Sequence, residues 1–454
     1  VSPRADRSCP RGWDRRTLDI ETRLTAEGLP ADVTILGIDD TDSRERGMCT
    51  TYAADTVARR LERRGATVDR VLLVRCNPAV EHKTRGNAAL AIHTDASVET
   101  AFETAHGAVE EAAETGDDRT NPGLVVAPGD PDRVPEAVAG FARDAVEDHL
   151  TRGAARALVD RVGYRRHGWK NGRGVVGALA AVGAWRALGE WTYERIAYRE
   201  PSRWGTDRAV DPDSVFEAAD ARYPTVWDTV DRGTGEVVCV PRTPGPILYG
   251  IRGDDPVACR AVAGSIESEP VDRARTFHTN QGTDGHLRDG TIDSVRDGYA
   301  YRLDGRVLDA PETRRGGHVF VSLGDGCGAI DCVAFEPTKR FRDRVRDLRV
   351  GDELTVCGEV SDGTVKLEKF AVRELVTTER TTPTCPGCGR TMESAGSGQG
   401  YRCRDCGTSS AGKIDRPIER GLETGWYEVP PRARRHIAKP LVRGGFDGAV
   451  HPER

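Results

Sequence analysis

The sequence predicts a multidomain α+β protein, and three observations lead to that fold class. A chain of 454 residues is long enough for three or more domains of ~100–200 residues each. Short apolar strands alternate with helical segments as far as about residue 195, and the chain from Tyr299 to Val372 has the pattern of a five-stranded barrel. Two Cys-x-x-Cys pairs near the C-terminus predict a small metal-binding unit after the barrel.

The N-terminal half has the pattern of an α/β or α+β domain. A short apolar strand is predicted at 34–38, followed by an amphipathic helix over 50–64 and a second strand at 68–74. Residues 174–188 are rich in Ala, Gly and Val, which indicates either a buried helix or a glycine-led loop running into one. Residues 1–32 show no sustained period and are expected to form a disordered extension.

Two further domains follow this half. Between residues 200 and 297, short strands at 237–240 and 247–251 surround a helical run at 256–267, which is enough for a small α+β domain. The barrel then has five strands with one helical break, 339–348, between the third and the fourth. That order is typical of an OB-fold, which often binds single-stranded nucleic acid. A generic small barrel without a ligand is the alternative.

Composition excludes a membrane-spanning class for this sequence. The longest stretch without charge, 174–185, has 12 residues, whereas a spanning helix needs ~20. The first 32 residues lack the apolar core of a secretory signal, so we expect a soluble, cytoplasmic protein. The net charge of −6 argues mildly against nucleic-acid binding by the chain as a whole, although local patches decide binding. Only seven of 66 basic residues are lysine, which indicates salt adaptation or a GC-rich genome.

The cysteine spacing predicts a structural zinc site. Cys385, Cys388, Cys403 and Cys406 form two pairs separated by 14 residues. Two such knuckles can place four thiolates tetrahedrally around one zinc ion and leave no open position for water. A redox dithiol is the competing interpretation, but one pair would serve that role.

An acidic segment directly follows the first predicted strand. The sequence GIDDTDS (37–43) places carboxylates at Asp39, Asp40 and Asp42, and GMCTT (47–51) then opens the first helix. Carboxylates suit Mg²⁺, and the backbone N–H groups of a helix N-terminus suit a phosphate. The segment therefore predicts a site for Mg²⁺ and a nucleoside triphosphate that is not a Walker A loop. An acidic surface turn with a threonine cap is the alternative.

Several basic segments complete the candidate sites. The loops at 83–87, 117–123 and 167–174 are each typical of solvated loops when taken alone, but three in one half favour convergence on phosphates. Residues 432–443 contain five Lys/Arg and no acid, beside two aromatic residues, a pattern that suits RNA stacking and phosphate contact. A charged disordered tail is the alternative. The residues predicted to contact RNA are Lys339, Arg340, Arg342, Trp426, Tyr427, Arg432, Arg434, Arg435, His436, Lys439 and Arg443.

Taken together, these segments resemble the archaeal tRNA(Ile) 2-agmatinylcytidine synthetase family. The resemblance spans about residues 33–443, and residues 1–32 depart from the family pattern, as either a lineage-specific extension or a misread start. The matching segments are GIDDTDS (37–43), GMCTT (47–51), KTRGN (83–87), TNPG (120–123), GRGVVGALAAVG (172–183), EPVDR (269–273), TNQGTD (279–284), AFEPTK (334–339), MESAGSGQGYRC (392–403) and YEVPPRARRH (427–436).

The resemblance implies a tRNA-modifying ligase. Such enzymes use ATP to activate the wobble cytidine of the isoleucine tRNA that reads AUA, after which agmatine displaces the activated oxygen at C2 and AMP and phosphates are released. The partner would be that isoleucine tRNA with a cytidine-first anticodon. The implied domains are a kinase-like domain at 33–196, a ferredoxin-like domain at 197–297, an OB-fold at 298–376, a zinc ribbon at 377–415 and a basic C-terminal tail at 416–454.

The resemblance and the local chemistry together assign site residues. Asp39 and Asp40 are expected to hold Mg²⁺, and Thr50 matches the family threonine implicated as a phosphate acceptor. Asp284 is the candidate for binding agmatine, whose cationic groups need carboxylates. The predicted catalytic residues are Asp39, Asp40, Asp42 and Thr50, and the predicted ATP- or phosphate-binding residues are Gly47, Thr51, Lys83, Arg85 and Asn87.

Two other functions remain open from the sequence. The chain could be a non-catalytic tRNA-binding protein that uses the OB barrel and the ribbon, with an inert N-terminal half. It could also be an ATP-dependent small-molecule kinase with an accessory RNA module, whose ATP turnover would ignore tRNA.

Overall fold

The computed structural model of the chain describes residues 33–43, 45, 47–81, 86–436 and 438–454. The expected N-terminal extension, residues 1–32, lies outside the described residues, as do Lys83 and Arg85. Within the described ranges, no helix is both long enough and apolar enough to cross a membrane.

One mixed sheet of nine strands runs through the first two domains. Its strand order is β5-β4-β1-β3-β2-β11-β6-β10-β7, and β8 and β9 form a separate small hairpin. The elements in chain order are β1 (Thr34–Asp39), α1 (Thr50–Arg63), β2 (Val68–Arg75), β3 (Ala88–Thr94), α2 (Val98–Ala112), β4 (Gly123–Pro128), α3 (Glu136–Glu147), α4 (Arg152–Val162), β5 (Arg165–Gly168), α5 (Val175–Ala187), β6 (Thr192–Arg199), α6 (Pro212–Asp220), β7 (Val226–Trp227), β8 (Val230–Asp231), β9 (Glu236–Val237), β10 (Ile247–Gly253), α7 (Pro256–Ser265) and β11 (Val271–Thr279).

The predicted first helix and first two strands are confirmed as α1, β1 and β2. The glycine-rich segment forms α5, a buried helix that begins after Gly174. A Cβ on Gly37 of β1 would lie only 2.0 Å from the carbonyl oxygen of Ala178 in α5. A Cβ on Gly123, the first residue of β4, would lie 2.0 Å from the backbone nitrogen of Val175. The two glycines therefore let α5 pack directly against the strand backbones, and its N-terminus comes to lie beside the end of β1.

The second domain has the ferredoxin-like order. Its elements follow as β6, α6, β7, β10, α7 and β11, and β6 pairs antiparallel with both β10 and β11. The parallel pairing of β11 with β2 continues the sheet of the first domain into the second. The division predicted between residues 196 and 197 needs correction, because it cuts through β6, a strand whose two neighbours both belong to the second domain.

The OB-fold prediction is confirmed by a closed barrel. Strand β13 (Tyr299–Val307) pairs with β15 (Val319–Gly324) and β17 (Glu353–Ser361), β15 pairs with β16 (Ala329–Ala334), and β18 (Thr364–Glu374) closes the ring by pairing with β16 and β17. Helix α8 lies between the third and fourth barrel strands, as predicted. The elements in chain order are β12 (Leu287–Asp289), β13 (Tyr299–Val307), β14 (Glu312–Thr313), β15 (Val319–Gly324), β16 (Ala329–Ala334), α8 (Arg340–Arg346), β17 (Glu353–Ser361) and β18 (Thr364–Glu374).

The last part of the chain contains the ribbon and two strands that join the barrel sheet. The segment predicted as a basic tail does not project from the protein, because β24 (Gly425–Glu428) pairs antiparallel with β18 of the barrel and β25 (Val450–His451) pairs with β24. The elements in chain order are β19 (Thr378–Thr381), β20 (Glu393–Ser394), β21 (Tyr401–Arg402), β22 (Ser409–Ser410), β23 (Ile414–Pro417), β24 (Gly425–Glu428) and β25 (Val450–His451).

Candidate active site

A cavity of about 380 Å³ opens between the first domain and the ferredoxin-like domain. The end of β1, the start of α1, the end of β2 and the start of α5 form one side, and residues 238–247 of the ferredoxin-like domain form another. The predicted catalytic and phosphate-binding residues that line it are Asp39, Asp40, Asp42, Thr50, Thr51 and Asn87. Six residues predicted from separate segments are therefore brought to one cavity.

The aspartates form an acidic corner of this cavity. Oδ2 of Asp40 accepts a hydrogen bond from the backbone N–H of Asn121 at 3.1 Å and lies 3.5 Å from Nη2 of Arg173. Burial raises the pKa of Asp40 to about 6, against the opposing effect of Arg173. Burial and the neighbouring charge of Asp40 raise the pKa of Asp39. Closely spaced buried carboxylates repel one another, and a bound cation relieves that repulsion.

Gly177 of α5 faces the acidic corner and leaves room for the carboxylate of Asp39. A Cβ on Gly177 would lie 2.1 Å from Oδ2 of Asp39, so only glycine fits at that position. On the other side, the hydroxyl of Thr120 donates to the carbonyl oxygen of Asp42 at 2.6 Å. The loops that contain Asn121 and Arg173 do converge here. Sequence reasoning pointed to these loops but did not assign roles to these residues.

The start of α1 lies next to the aspartates. Gly47 and Met48 both have positive φ, and the N-cap residue Cys49 provides no side-chain capping hydrogen bond. The hydroxyl of Thr41 donates to the buried hydroxyl of Thr50 at 3.2 Å, which fixes the threonine at the first turn. Gly47 does not line the cavity, but it approaches its wall, since a Cβ there would lie 3.2 Å from Cα of Gly245. The arrangement places the positive end of a helix beside carboxylates, a setting that suits an anion held with a cation.

A basic wall forms another side of the cavity, and sequence reasoning missed it. Arg75, at the end of β2, and Arg252, on β10, lie on either side of Glu194 on β6. The side chain of Asn280 accepts from the backbone N–H of Arg75 and donates to its carbonyl oxygen, and Gln281 accepts from its Nε at 3.1 Å. The TNQGTD segment thus positions Arg75. No local signal marks these arginines, because they come together only through the successive pairing of β2 with β11, β11 with β6 and β6 with β10.

Asp284, predicted to bind agmatine, lies elsewhere. Its carboxylate forms an ion pair with the buried Lys369 of the barrel and accepts a hydrogen bond from the backbone N–H of Lys439 at 2.6 Å. It does not line the cavity. The carboxylate is engaged in joining the ferredoxin-like region to the barrel, away from the cavity. Agmatine binding by Asp284 stays a prediction, and this placement does not support it.

The aromatic residues predicted to stack on RNA lie in the protein interior. Trp426 is 2% exposed and packs against Phe446, while Tyr427 is 5% exposed and stacks on His451 and Phe370. Neither ring presents a face to solvent, so the stacking prediction needs correction. Hydrophobic burial of β24 against β18 explains both residues.

The cations predicted to contact RNA in the last segment are paired with acids of the fold. Four of these acids belong to the ferredoxin-like domain and the turn before it, and the others to the barrel sheet. The pairs are Arg432 with Glu236, Arg434 with Asp228 and Glu428, Arg435 with Glu359 and Glu368, Lys439 with Glu190, and Arg443 with Glu190 and Asp254. The segment joins two domains, and His436 lines the cavity.

The basic run of the barrel helix is also engaged. Arg340 pairs with Asp231 and Glu453, while Lys339 and Arg342 both lie within ion-pair distance of Glu336. Lys339 keeps 43% of its side chain exposed, compared with 13% for Arg342. Contact of these residues with RNA stays a prediction.

The four predicted zinc ligands come together in the ribbon. Their sulfur atoms all lie within 4.8 Å of one another, and Sγ of Cys388 is 3.6 Å from Sγ of Cys403. Thiolates around a tetrahedral zinc ion with Zn–S of about 2.3 Å lie about 3.8 Å apart, so this donor set fits zinc. Gly389 N–H donates to the carbonyl of Cys385, and Gly407 N–H donates to that of Cys403, so both knuckles have the same turn.

Replacing Cys403 by serine is expected to abolish zinc binding. A chain with all four thiolates should hold about one zinc ion, and loss of one ligand leaves an incomplete site in a segment with little core of its own. Zinc content of the purified protein, measured by a colorimetric chelator, tests this. Cys327→Ser is the matched control, because Cys327 is exposed and lies outside the ribbon. Zinc retained at the wild-type level in Cys403→Ser would contradict the site.

Comparisons with known proteins cover almost all of the described chain. Family models of the TiaS TCKD domain match residues 35–171, the TiaS FLD domain 172–286, an OB-fold nucleic acid binding domain 301–370 and the TiaS C-terminal zinc ribbon domain 382–422. A tRNA(Ile) 2-agmatinylcytidine synthetase TiaS of Haloquadratum walsbyi is 54% identical over 93% of this chain and 100% of its own. The same-named protein of Methanosarcina acetivorans is 45% identical over 92% and 100%.

Solved structures give the same assignment. A crystal structure of TiaS in complex with its isoleucine tRNA and ATP is 41% identical, with a TM-score of 0.85, and the match covers 93% of this chain and 100% of that one. A complex of TiaS with the same tRNA, AMPCPP and agmatine is 39% identical, with a TM-score of 0.82 and the same coverage. With these relatives matched from end to end and the motif residues gathered in one cavity, the chain belongs to the tRNA(Ile) 2-agmatinylcytidine synthetase (TiaS) family.

Proposed function

We propose that the protein is an ATP-dependent ligase that activates C2 of the wobble cytidine in the AUA-decoding isoleucine tRNA and joins agmatine to it. The products are 2-agmatinylcytidine, AMP and phosphates. The observation that carries the proposal is the convergence of Asp39, Asp40 and Thr50 with two arginines around one cavity, in a chain similar over its length to proteins crystallised with an isoleucine tRNA, ATP and agmatine. We place the reaction in the cytoplasm, where tRNA and ATP are available.

The acidic corner fits Mg²⁺. Asp39 and Asp40 offer carboxylate oxygens, which Mg²⁺ prefers, and they lie side by side, Asp40 buried and Asp39 half-buried, where a cation is favourable. These two residues would hold the ion, with Asp42 next to them. Bound there, Mg²⁺ would neutralise negative charge on the phosphates of ATP.

The protein residues supply acceptors and donors for phosphoryl transfer. Thr50 offers a hydroxyl at the first turn of α1, and we assign it as the phosphate acceptor. Its position beside helix N–H groups favours an anion at that oxygen. Thr51 and Asn87 line the same cavity, and Gly47 precedes the helix. These three residues stay predicted phosphate contacts, as do Lys83 and Arg85, which lie outside the described residues. Arg173 and Arg75 both line the cavity and add positive charge to it.

Activation of C2 makes the displacement feasible. The C2 oxygen of cytosine is a poor leaving group, and attachment of a phosphoryl group converts it into one that the primary amine of agmatine can displace. The cytidine must leave its stack to enter a cavity of this kind, as in other base-modifying enzymes. The OB barrel and the ribbon are then free to bind the tRNA away from the reacting atoms.

The experiment that tests the function is incorporation of radiolabelled agmatine into an isoleucine tRNA transcript with cytidine at the wobble position. Incorporation is expected only with ATP and Mg²⁺, and the same tRNA with uridine at that position should stay unlabelled. Binding of both transcripts without incorporation would favour the non-catalytic tRNA-binding protein. ATP turnover that is independent of tRNA would favour the small-molecule kinase.

A further inference from the structure

A histidine from the C-terminal segment reaches the cavity. His436 is among the residues that line the cavity. It lies about 350 residues after Gly86, the residue that it approaches there. A Cβ on Gly86 would lie 3.3 Å from Nε2 of His436 and 2.5 Å from Nη1 of Arg75. The imidazole and the guanidinium therefore meet at the glycine of the KTRGN segment, and this glycine leaves space for both.

The imidazole is held in place by its neighbours in the chain. Arg434 is 3% exposed and forms ion pairs with Asp228 and Glu428 at 3.0 Å each. The next residue, Arg435, pairs with Glu359 and Glu368 on two barrel strands. Because these pairs fix the backbone between the ferredoxin-like domain and the barrel, they also fix where the following side chain enters the cavity.

The surroundings of His436 are cationic. Arg75, Arg252 and Arg435 lie near it, together with His286, and burial acts in the same direction as these charges to lower the pKa of His436. The carboxylate that faces this wall, Glu194, lies between Arg75 and Arg252. A neutral imidazole carries one N–H donor and one acceptor nitrogen, so this ring can donate a hydrogen bond to a ligand in the cavity that it lines.

The chemistry that fits this place is an anion. Two arginines and an N–H donor together match a phosphate oxygen, and hydrogen bonds to charged groups are the strong ones. The cavity also contains the acidic corner, so a ligand with phosphates and a bound cation would meet complementary charge on both sides.

We propose that His436 is a substrate-binding residue that donates a hydrogen bond from its ring to a phosphate oxygen in the cavity. The inference rests on the proposed ligase function. The phosphate belongs either to ATP or to the activated cytidine, and the kinetics described below distinguish these two sources. The C-terminal segment then completes the active site in addition to joining two domains.

The test compares three variants in the agmatine incorporation assay. His436→Leu removes the donor, and it is expected to lower kcat/KM by about 10- to 100-fold, the cost of one hydrogen bond to a charged group. His436→Gln keeps an N–H donor at a similar reach and should recover most of the loss. His451→Leu, in the same segment but stacked on Tyr427 in the barrel sheet, is the control and should leave kcat/KM unchanged. Affinity for tRNA should be the same in all three.

The results separate the possibilities. A rise in the KM for ATP in His436→Leu assigns the contact to ATP, whereas a fall in kcat with that KM unchanged assigns it to the activated cytidine; both support the proposal. Equal losses in the Leu and Gln variants would show a structural role and overturn it. Full activity of His436→Leu would also overturn it, and so would a loss of tRNA affinity as large as the loss of kcat/KM. If wild-type protein incorporates no agmatine, the ligase function itself fails.

Discussion

Replacement of Asp40 by asparagine is expected to lower ATP-dependent agmatine incorporation by roughly 100- to 1000-fold, the range seen when one preorganised electrostatic group is removed from an active site. Asparagine keeps the size of the side chain and one oxygen, so it should still accept from the N–H of Asn121. It removes the negative charge that we propose for Mg²⁺. The measurement is kcat/KM in the incorporation assay, with the dissociation constant for tRNA determined in parallel.

The stability of this variant gives an independent readout. Asp40 is buried beside Asp39, and their charges oppose each other, so the neutral variant should unfold at the same temperature as wild type or higher in the absence of Mg²⁺. Addition of Mg²⁺ should stabilise the wild type more than the variant, since an ion that binds only the folded state raises its stability.

The matched control for this prediction is Asp118→Asn. Asp118 lies in the adjoining loop and is exposed, and its backbone carbonyl, which the substitution keeps, is the part that Asn121 contacts. The control should incorporate agmatine at the wild-type rate. Full activity in Asp40→Asn, or an equal loss in the control, would mean that the acidic corner is not where ATP is activated.

Local patterns predicted the elements that depend on local physics. The barrel and the first helix follow from the spacing of apolar residues, which decides which face is buried, and the zinc ligands follow from turn-sized spacing within the chain. The acidic site was also predictable from local sequence. Three carboxylates within four residues repel one another and therefore need a cation or solvent, whatever the rest of the fold. Their convergence with Thr50 in one cavity needed only that they follow one strand and precede one helix.

The parts that depend on distant pairing could not be predicted. Arg75 and Arg252 stand in ordinary strands, and they become neighbours only through the pairing of β2 with β11, β11 with β6 and β6 with β10. Arg434 looked like an RNA contact because the acids that pair with it are not all near it in sequence: Asp228 lies about 200 residues earlier. Whether a basic segment binds RNA or pairs with acids of the protein depends on which acids face it, and the tertiary structure decides that.

The glycine that faces Asp39 provides a second test of the site, with an effect that we expect to be similarly large. In Gly177→Ala the new Cβ would lie 2.1 Å from Oδ2 and 2.6 Å from Cγ of Asp39, and 3.1 Å from Cβ of Ala89. Asp39 and Ala89 are held in the sheet by β1 and β3, so either the carboxylate turns away or α5 moves off the sheet. We expect kcat/KM to fall by about 100-fold, because a small misplacement of a reacting group has an effect of that size. We expect the free energy of unfolding to fall by about 1–3 kcal/mol.

Gly107→Ala isolates the steric effect from the general effect of alanine in a helix. Gly107 lies inside α2, and a Cβ there meets nothing within 4 Å. Alanine is favoured over glycine in a helix interior by about 0.5–1 kcal/mol, so this control should be slightly more stable than wild type and fully active. The two substitutions are chemically identical, and they differ only in what lies opposite the added methyl group. If both variants kept full activity, the carboxylate of Asp39 would not need the position in which the structure holds it, and its proposed role in binding Mg²⁺ would be lost.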